Sequence, residues 1–228
     1  MDLIYQDLQW LLEAFPAFLV GARNTLIYCV VSFPIALVLG LLLALMSNSP
    51  FVWLKTPARV FIEVVRSTPI LAQMFLLYYG VGAVLVQFNL SSIDNAWSAG
   101  IATLALNYAA YEAEVFRAGF LSVEKGQTEA ALSLGLTPWQ NFFRIVLPQA
   151  IPFMIPPFVN DFIYMLKDSA IVSVIAGTEL TAVLSFWVSR HGSNSLPGYV
   201  LAIALYLILS LPTSYVARFF EQRLRAAL

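Results

Sequence analysis

The chain has little charge. Lysine, arginine, aspartate and glutamate make up 11% of its 228 residues, against about 25% in soluble domains, while 60% are hydrophobic and the mean hydropathy is +0.80. That composition excludes a soluble globular domain and is that of an integral membrane protein. With 12 basic and 13 acidic residues the net charge is -1, so no nucleic acid or broadly anionic partner is indicated. The single cysteine, Cys29, lies inside an apolar run, which excludes an internal disulfide and a cysteine metal site and makes it a packing residue. The single histidine, His191, sits beside Arg190 in a polar stretch. Lys167 and Ser169 are two positions apart and do not share a helix face. A nucleophile with a matched base, as an intramembrane enzyme requires, is therefore missing. None of Lys55, Lys125 and Lys167 follows a glycine, so there is no phosphate-binding P-loop, and any work done with ATP must come from another subunit. Residues 1–16 lack a basic segment and carry Asp2, Asp7 and Glu13, which argues against a cleavable signal peptide. No repeat or low-complexity linker divides residues 1–228, which read as a single domain.

The sequence does have long apolar runs. A helix crosses a bilayer core with about 20 apolar residues, and five such spans are expected over about 18–47, 57–88, 96–121, 151–177 and 198–220. The residues before the first, with Leu3, Ile4, Leu8, Leu11, Leu12 and Phe15 among acids, read as a helix lying at the membrane surface. Lys55, Arg59, Lys125, Arg144, Arg218, Arg223 and Arg225 fall on one side of this arrangement, while Arg23, Arg190 and Asp94 fall on the other. The positive-inside rule then places the N-terminus outside and the C-terminus in the cytoplasm. Pro152, Pro156 and Pro157 are expected to bend or delay the fourth span.

The longest polar interruption is 122–149, on the cytoplasmic side. Helix formers over 122–134 end at Gly135, suited to a left-handed C-terminus. Thr137, Pro138 and Gln140 then supply an N-cap, a first-turn proline and a capping-box partner for a second short helix, with Trp139, Phe142, Phe143 and Val146 on one face. Two short helices meeting at a tight turn make a stiff knob. Glu129-Ala130-Ala131, three residues, Gly135, nine residues, and Ile145-x-Leu147-Pro148 together resemble the EAA motif of bacterial ABC import permeases. Tyr111-x-Ala113-Glu114, Arg117, Gly126-Gln127, Lys167-Asp168-Ser169 and Glu179-Leu180 resemble the polar amino acid uptake branch of that family. The resemblance implies an all-α type I importer fold and an inner-membrane location in a bacterial cell. It implies coupling to an ABC ATPase dimer, on which ATP and magnesium reside, through Glu129, Ala130, Ala131, Gly135, Leu136 and Thr137. It also implies a second permease copy or paralogue, and a periplasmic or lipid-tethered amino acid binding protein. No cofactor is implied on this chain.

Ionisable groups at membrane depth are costly and usually face a partner or a wet cavity. Arg66, Glu112, Glu114, Arg117, Asp161, Lys167 and Glu179 qualify. Asn107, Tyr111 and Glu114 are spaced to share one face, as are Asn160, Tyr164 and Lys167 on the fourth span, with Asp161 on the neighbouring stripe. Glu112 lies about 200° round the helix from Glu114, so the two carboxylates point apart. Glu114 matches the family pattern and Glu112 is additional to it. On the second span Arg66-Ser67-Thr68-Pro69 resembles the family's Arg-(Gly or Ser)-Thr-Pro, with Gln73 one turn further, and Arg66 reads as an interfacial anchor. The substrate-path candidates are therefore Asn107, Tyr111, Glu112, Glu114, Asn160, Asp161, Thr68 and Gln73. Glu114 paired with Arg117 at i, i+3 is the structural alternative for that residue. A secondary transporter or channel with the acids as a proton relay is the alternative function, although it gives the polar loop no purpose.

Overall fold

The computed structural model describes residues 2–87, 95–192 and 195–225. The described residues are helical, joined by short turns, with no strand among them. In order they form α1 (Asp2–Ser47), α2 (Val52–Arg66), α3 (Ile70–Gln87), α4 (Ala96–Ser122), α5 (Lys125–Ser133), α6 (Pro138–Ile175), α7 (Leu180–His191) and α8 (Leu196–Arg225). Most of the expected external turn at 89–95 lies outside the described residues.

α4 is the axle. It packs along α1 and touches α2, α3 and α6, and Ala99, Thr103, Leu104, Asn107, Tyr108, Ala110 and Ala113 are all buried. Small residues let α1 approach closely: a Cβ on Gly40 would lie 2.7 Å from the Glu112 Cβ and 3.1 Å from both the Ala109 oxygen and the Ala113 nitrogen. The main core gathers Tyr28, Met74, Leu104, Tyr108, Met165, Leu166 and Val172 from α1, α3, α4 and α6. A second core joins Phe18 and Ala22 of α1 to Leu180 and Trp187 of α7 and to Ala202 and Leu205 of α8.

By length and composition α1, α3, α6 and α8 hold stretches apolar enough to cross a membrane. α4 is not among them, although 96–121 is helical as expected. Enclosed by its neighbours, it has little lipid-facing surface to keep apolar, and Asn107, Tyr108, Tyr111, Glu112, Glu114 and Arg117 lower its hydropathy.

Three local expectations are corrected. Residues 2–17 are not a separate surface helix but the first turns of α1, which runs unbroken through Pro16 and Pro34. At about 1.5 Å per residue its 46 residues exceed the roughly 30 Å bilayer core. The stretch 57–88 is two helices, because Pro69 disfavours helical backbone at Thr68 and caps α3 instead. The break is held by side chains: Gln73 Nε2 donates to the Val65 carbonyl (2.8 Å) and to Thr68 Oγ1 (2.9 Å), and Thr68 Oγ1 donates to the Val64 carbonyl (2.8 Å). These contacts satisfy carbonyls that the end of α2 would leave without donors. Finally, the helix beginning at Pro138 is not short. It passes through a π-helical turn, Phe142–Val146, into the fourth apolar segment. Pro148, Pro152 and Pro156 recur every four residues, so the missing amide donors fall along one stripe and the helix continues.

Glu179, counted above among the membrane-depth charges, is a buried N-cap. Its carboxylate accepts from the Thr181 and Ala182 amides, each at 2.7 Å, and from Tyr206 Oη at 3.0 Å. Asn24 Nδ2 donates to the Thr178 carbonyl at 2.6 Å, tying this turn to α1.

Candidate functional site

The polar loop forms a knob on one end of the bundle. α4 stops at Ser122, Val123 is extended, and α5 starts at Lys125, so 122–134 is not one helix. The end of α5 behaves as expected. Gly135 has φ +83°, its amide donates to the Leu132 carbonyl at 3.0 Å, and the Leu136 amide donates to the Ala131 carbonyl at 3.1 Å. This is the paired bonding of a Schellman turn, which needs a left-handed residue. α6 then opens with a full capping box: Thr137 Oγ1 accepts from the Gln140 amide at 3.3 Å, and Gln140 Oε1 accepts from the Thr137 amide at 3.0 Å. Thr137→Ala is expected to cost the first turn of α6 about 1 kcal/mol, read as faster hydrogen exchange at the Gln140 amide with the rest of α6 unchanged.

Ala131 is the buried residue of α5, whereas Glu129, Ala130 and Leu134 are exposed. Asn141 Nδ2 donates to Thr128 Oγ1 at 3.4 Å and braces α6 against α5. Of the four residues expected on one face, Trp139, Phe142 and Phe143 border an apolar crevice with Leu41, Leu45 and Phe116, and Val146 does not. The knob is therefore rigid at its turn and held at its base.

A polar path starts in the same half of the bundle. A 740 Å³ cavity lies between the end of α1, α2 and α4, lined by Ser47, Asn48, Arg59, Glu63, Arg66, Tyr111, Glu114 and Arg117 among others. Arg66, Tyr111, Glu114 and Arg117 also line a second cavity of 420 Å³, which reaches Pro157 and Asp161 on α6. Tyr111 and Asp161 in turn line a third, of 330 Å³, with Thr68, Asn107, Tyr108, Tyr164 and Asp168. Each volume is within the roughly 300–1,000 Å³ of small-molecule sites. Tyr111 belongs to all three.

The structure brings together Asn107, Tyr111, Glu114, Asp161 and Thr68 of the expected candidates. Glu114 is paired with Arg117, which donates from Nε at 3.0 Å and also from Nη2, so the structural alternative holds for its charge. Asn107 Nδ2 donates to Gln73 Oε1 at 2.9 Å, so Gln73 supports the site from behind. Tyr108 Oη donates to Asp168 Oδ2 at 2.8 Å, and the Lys167 ammonium lies 4.6 Å from the Tyr164 ring centre. Asp161 differs from these: among the described residues its carboxylate has no hydrogen-bond or ion-pair partner, and it stands where two cavities meet.

With Gln73 behind the site, two further candidates line none of the three cavities. Asn160 is exposed and lines none of the three cavities. Glu112 is fully buried against Gly40, with neither carboxylate oxygen hydrogen-bonded. Arg66, expected as an interfacial anchor, is exposed; its guanidinium lies over the Tyr111 ring, 5.4 Å from the centre, and lines two cavities. Sequence reasoning missed Glu63, and it counted Arg59 only as an orienting charge. The four- and three-residue spacing of Arg59, Glu63 and Arg66 is the signal that could have found them.

Residues 36–226 match the family described as binding-protein-dependent transport system inner membrane component. The chain belongs to this family. It is a permease of the inner membrane, with the type I ABC importer permease fold. Among relatives, the octopine transport system permease protein OccM of Rhizobium radiobacter is 38% identical over 217 residues, covering 94% of this chain and 87% of OccM. The glutamine transport system permease protein GlnP of Escherichia coli (strain K12) is 35% identical over 220 residues, covering 93% and 94%. A crystal structure of an amino acid ABC transporter with histidines superposes with a TM-score of 0.84 at 38% identity, covering 93% of this permease and 96% of that chain. The MetNI methionine ABC transporter, at 19% identity and a TM-score of 0.70, shares the fold.

Proposed function

We propose that this permease carries polar amino acids, or close derivatives of them, inward through the three cavities joined at Tyr111, with Asp161 receiving the substrate's ammonium group. The observation that carries this reading is the position of Asp161: a half-buried carboxylate without a hydrogen-bond or ion-pair partner among the described residues, facing two cavities whose other charged groups, Glu114 with Arg117 and Asp168 with Tyr108, are already engaged or, as with Arg66, held over a ring. An unpaired charge at membrane depth is costly and is best accounted for by a ligand that pairs with it. Asn107, Tyr111 and Thr68 supply neutral donors and acceptors around it, while Glu114 and Arg117 stand toward the knob. The names of relatives, for octopine and glutamine, support a substrate of this class.

In this reading five membrane crossings put the N-terminus outside and the knob in the cytoplasm. Glu129, Ala130, Gly135, Leu136 and Thr137 there engage an ABC ATPase pair, with Ala131 packing the knob from within. ATP and magnesium are bound on that partner, whose closure moves the knob. A second permease, identical or related, stands beside this one, and a periplasmic or lipid-tethered binding protein delivers substrate.

Asp161→Asn tests the path. Uptake of labelled glutamine, histidine and arginine by the reconstituted transporter is expected to fall at least about tenfold, as loss of one charged contact worth about 1.5–3 kcal/mol implies. Binding-protein docking and ATPase assembly should be intact. Wild-type uptake by that variant would remove Asp161 from the path.

A further inference from the structure

The 740 Å³ cavity carries charge beyond the Glu114–Arg117 pair. Arg59, Glu63 and Arg66 recur on α2 at intervals of four and three residues, which places them on one helix face, and all three line that cavity. An ordinary solvated face would pair Arg59 with Glu63 across one turn. Here Glu114–Arg117 is the ion pair found among the described residues, and Arg59 and Glu63 make none. Arg66 is held over Tyr111 at 5.4 Å, so its position is set by a ring and not by a carboxylate. Three guanidiniums and two carboxylates line this concavity with Ser47, Asn48 and Tyr111; the Glu114–Arg117 pair neutralises itself, which leaves Arg59, Arg66 and Glu63 without an ion-pair partner among the described residues.

That set is complementary to a zwitterion. A guanidinium presents a planar fork to a carboxylate, and Glu63 remains for an ammonium. We infer that this cavity is a second amino acid binding station, separate from the one at Asp161, with Arg59 and Arg66 holding the α-carboxylate and Glu63 the α-ammonium. The inference rests on the amino acid reading given above. The Tyr111 ring and the Glu114–Arg117 pair lie between the stations, so a solute moving along the path passes from one charge set to the other.

The test is equilibrium binding of labelled histidine and arginine to the purified whole transporter in lipid nanodiscs, without binding protein. Two saturable classes of site per permease are expected. Asp161→Asn should remove one, and the charge-neutral double variant Arg59→Gln/Glu63→Gln should weaken the other at least tenfold while keeping the Asp161-dependent class, which also shows that the variant is folded. In the wild type, histamine, which lacks the carboxylate, should fail to displace label from the Arg59-dependent class. A double variant that binds as the wild type does, displacement by histamine as effective as by histidine, or a single class lost in Asp161→Asn would each overturn the second station. Absence of both binding and uptake of any amino acid would instead sink the amino acid reading itself.

Discussion

Gly135→Val is expected to uncouple the transporter: amino-acid-stimulated ATP hydrolysis and uptake both fall at least about tenfold, while the permease remains in the membrane. The cause is backbone conformation. Gly135 sits at φ +83° with nothing within 4 Å of an added Cβ, so there is room for a side chain but not for its backbone. A left-handed residue other than glycine costs about 1–2 kcal/mol, and a β-branched one is an outlier there. The strain is relieved by abandoning the two hydrogen bonds that the Leu136 and Gly135 amides donate to the Ala131 and Leu132 carbonyls, which loosens α5 relative to α6. The exposed Glu129, Ala130 and Leu134 would then no longer be presented at a fixed angle. Asparagine tolerates left-handed backbone, so the order of activity should be glycine, asparagine, alanine, valine. An order that followed side-chain size alone, with asparagine below alanine, would show that contact and not conformation sets the requirement.

Gly40→Val is expected to destabilise the folded permease strongly. Its Cβ would meet the Glu112 Cβ at 2.7 Å and the α4 backbone at 3.1 Å from two further atoms. Overpacking of this kind costs about 1–3 kcal/mol when side chains can move. Here two of the three obstacles are backbone of the most enclosed helix, so a loss of about 3 kcal/mol or more is expected, roughly a hundredfold in the folded-to-unfolded ratio. The measurement is the midpoint of thermal unfolding of the solubilised permease. Glu112→Ala keeps the Cβ that lies 2.7 Å away, so Gly40→Val/Glu112→Ala relieves none of the three contacts and should not restore stability. Full rescue by that second change would locate the constraint in the glutamate alone.

The local rules of the knob were legible in the sequence because they act over four or five residues. Gly135, Thr137, Pro138 and Gln140 each have one conformational use, and the structure places each in it. The length of the helix starting at Pro138 was not legible, because each of its prolines considered alone predicts a break. Their four-residue spacing and the π-helical turn before them keep it continuous. The path was legible where residues share a helix face, as Asn107, Tyr111 and Glu114 do. It was not legible where it depends on which face meets which neighbour. Glu112 and Glu114 are both acids on one helix, yet one is sealed against Gly40 and the other lines two cavities. Gln73 was placed in the path by position, but its work is to close the break after α2 and to hold Asn107.

The measurement that bears most directly on the whole scheme is ATP hydrolysis by the complex that co-purifies with this permease from its native membrane, with and without a polar amino acid and its binding protein. A hydrolysis rate that rises with both ligands together, and loses that rise in Gly135→Val, is the predicted result. An associated ATPase whose rate ignores amino acids and the loop, or uptake that persists with no ATPase present, would contradict it.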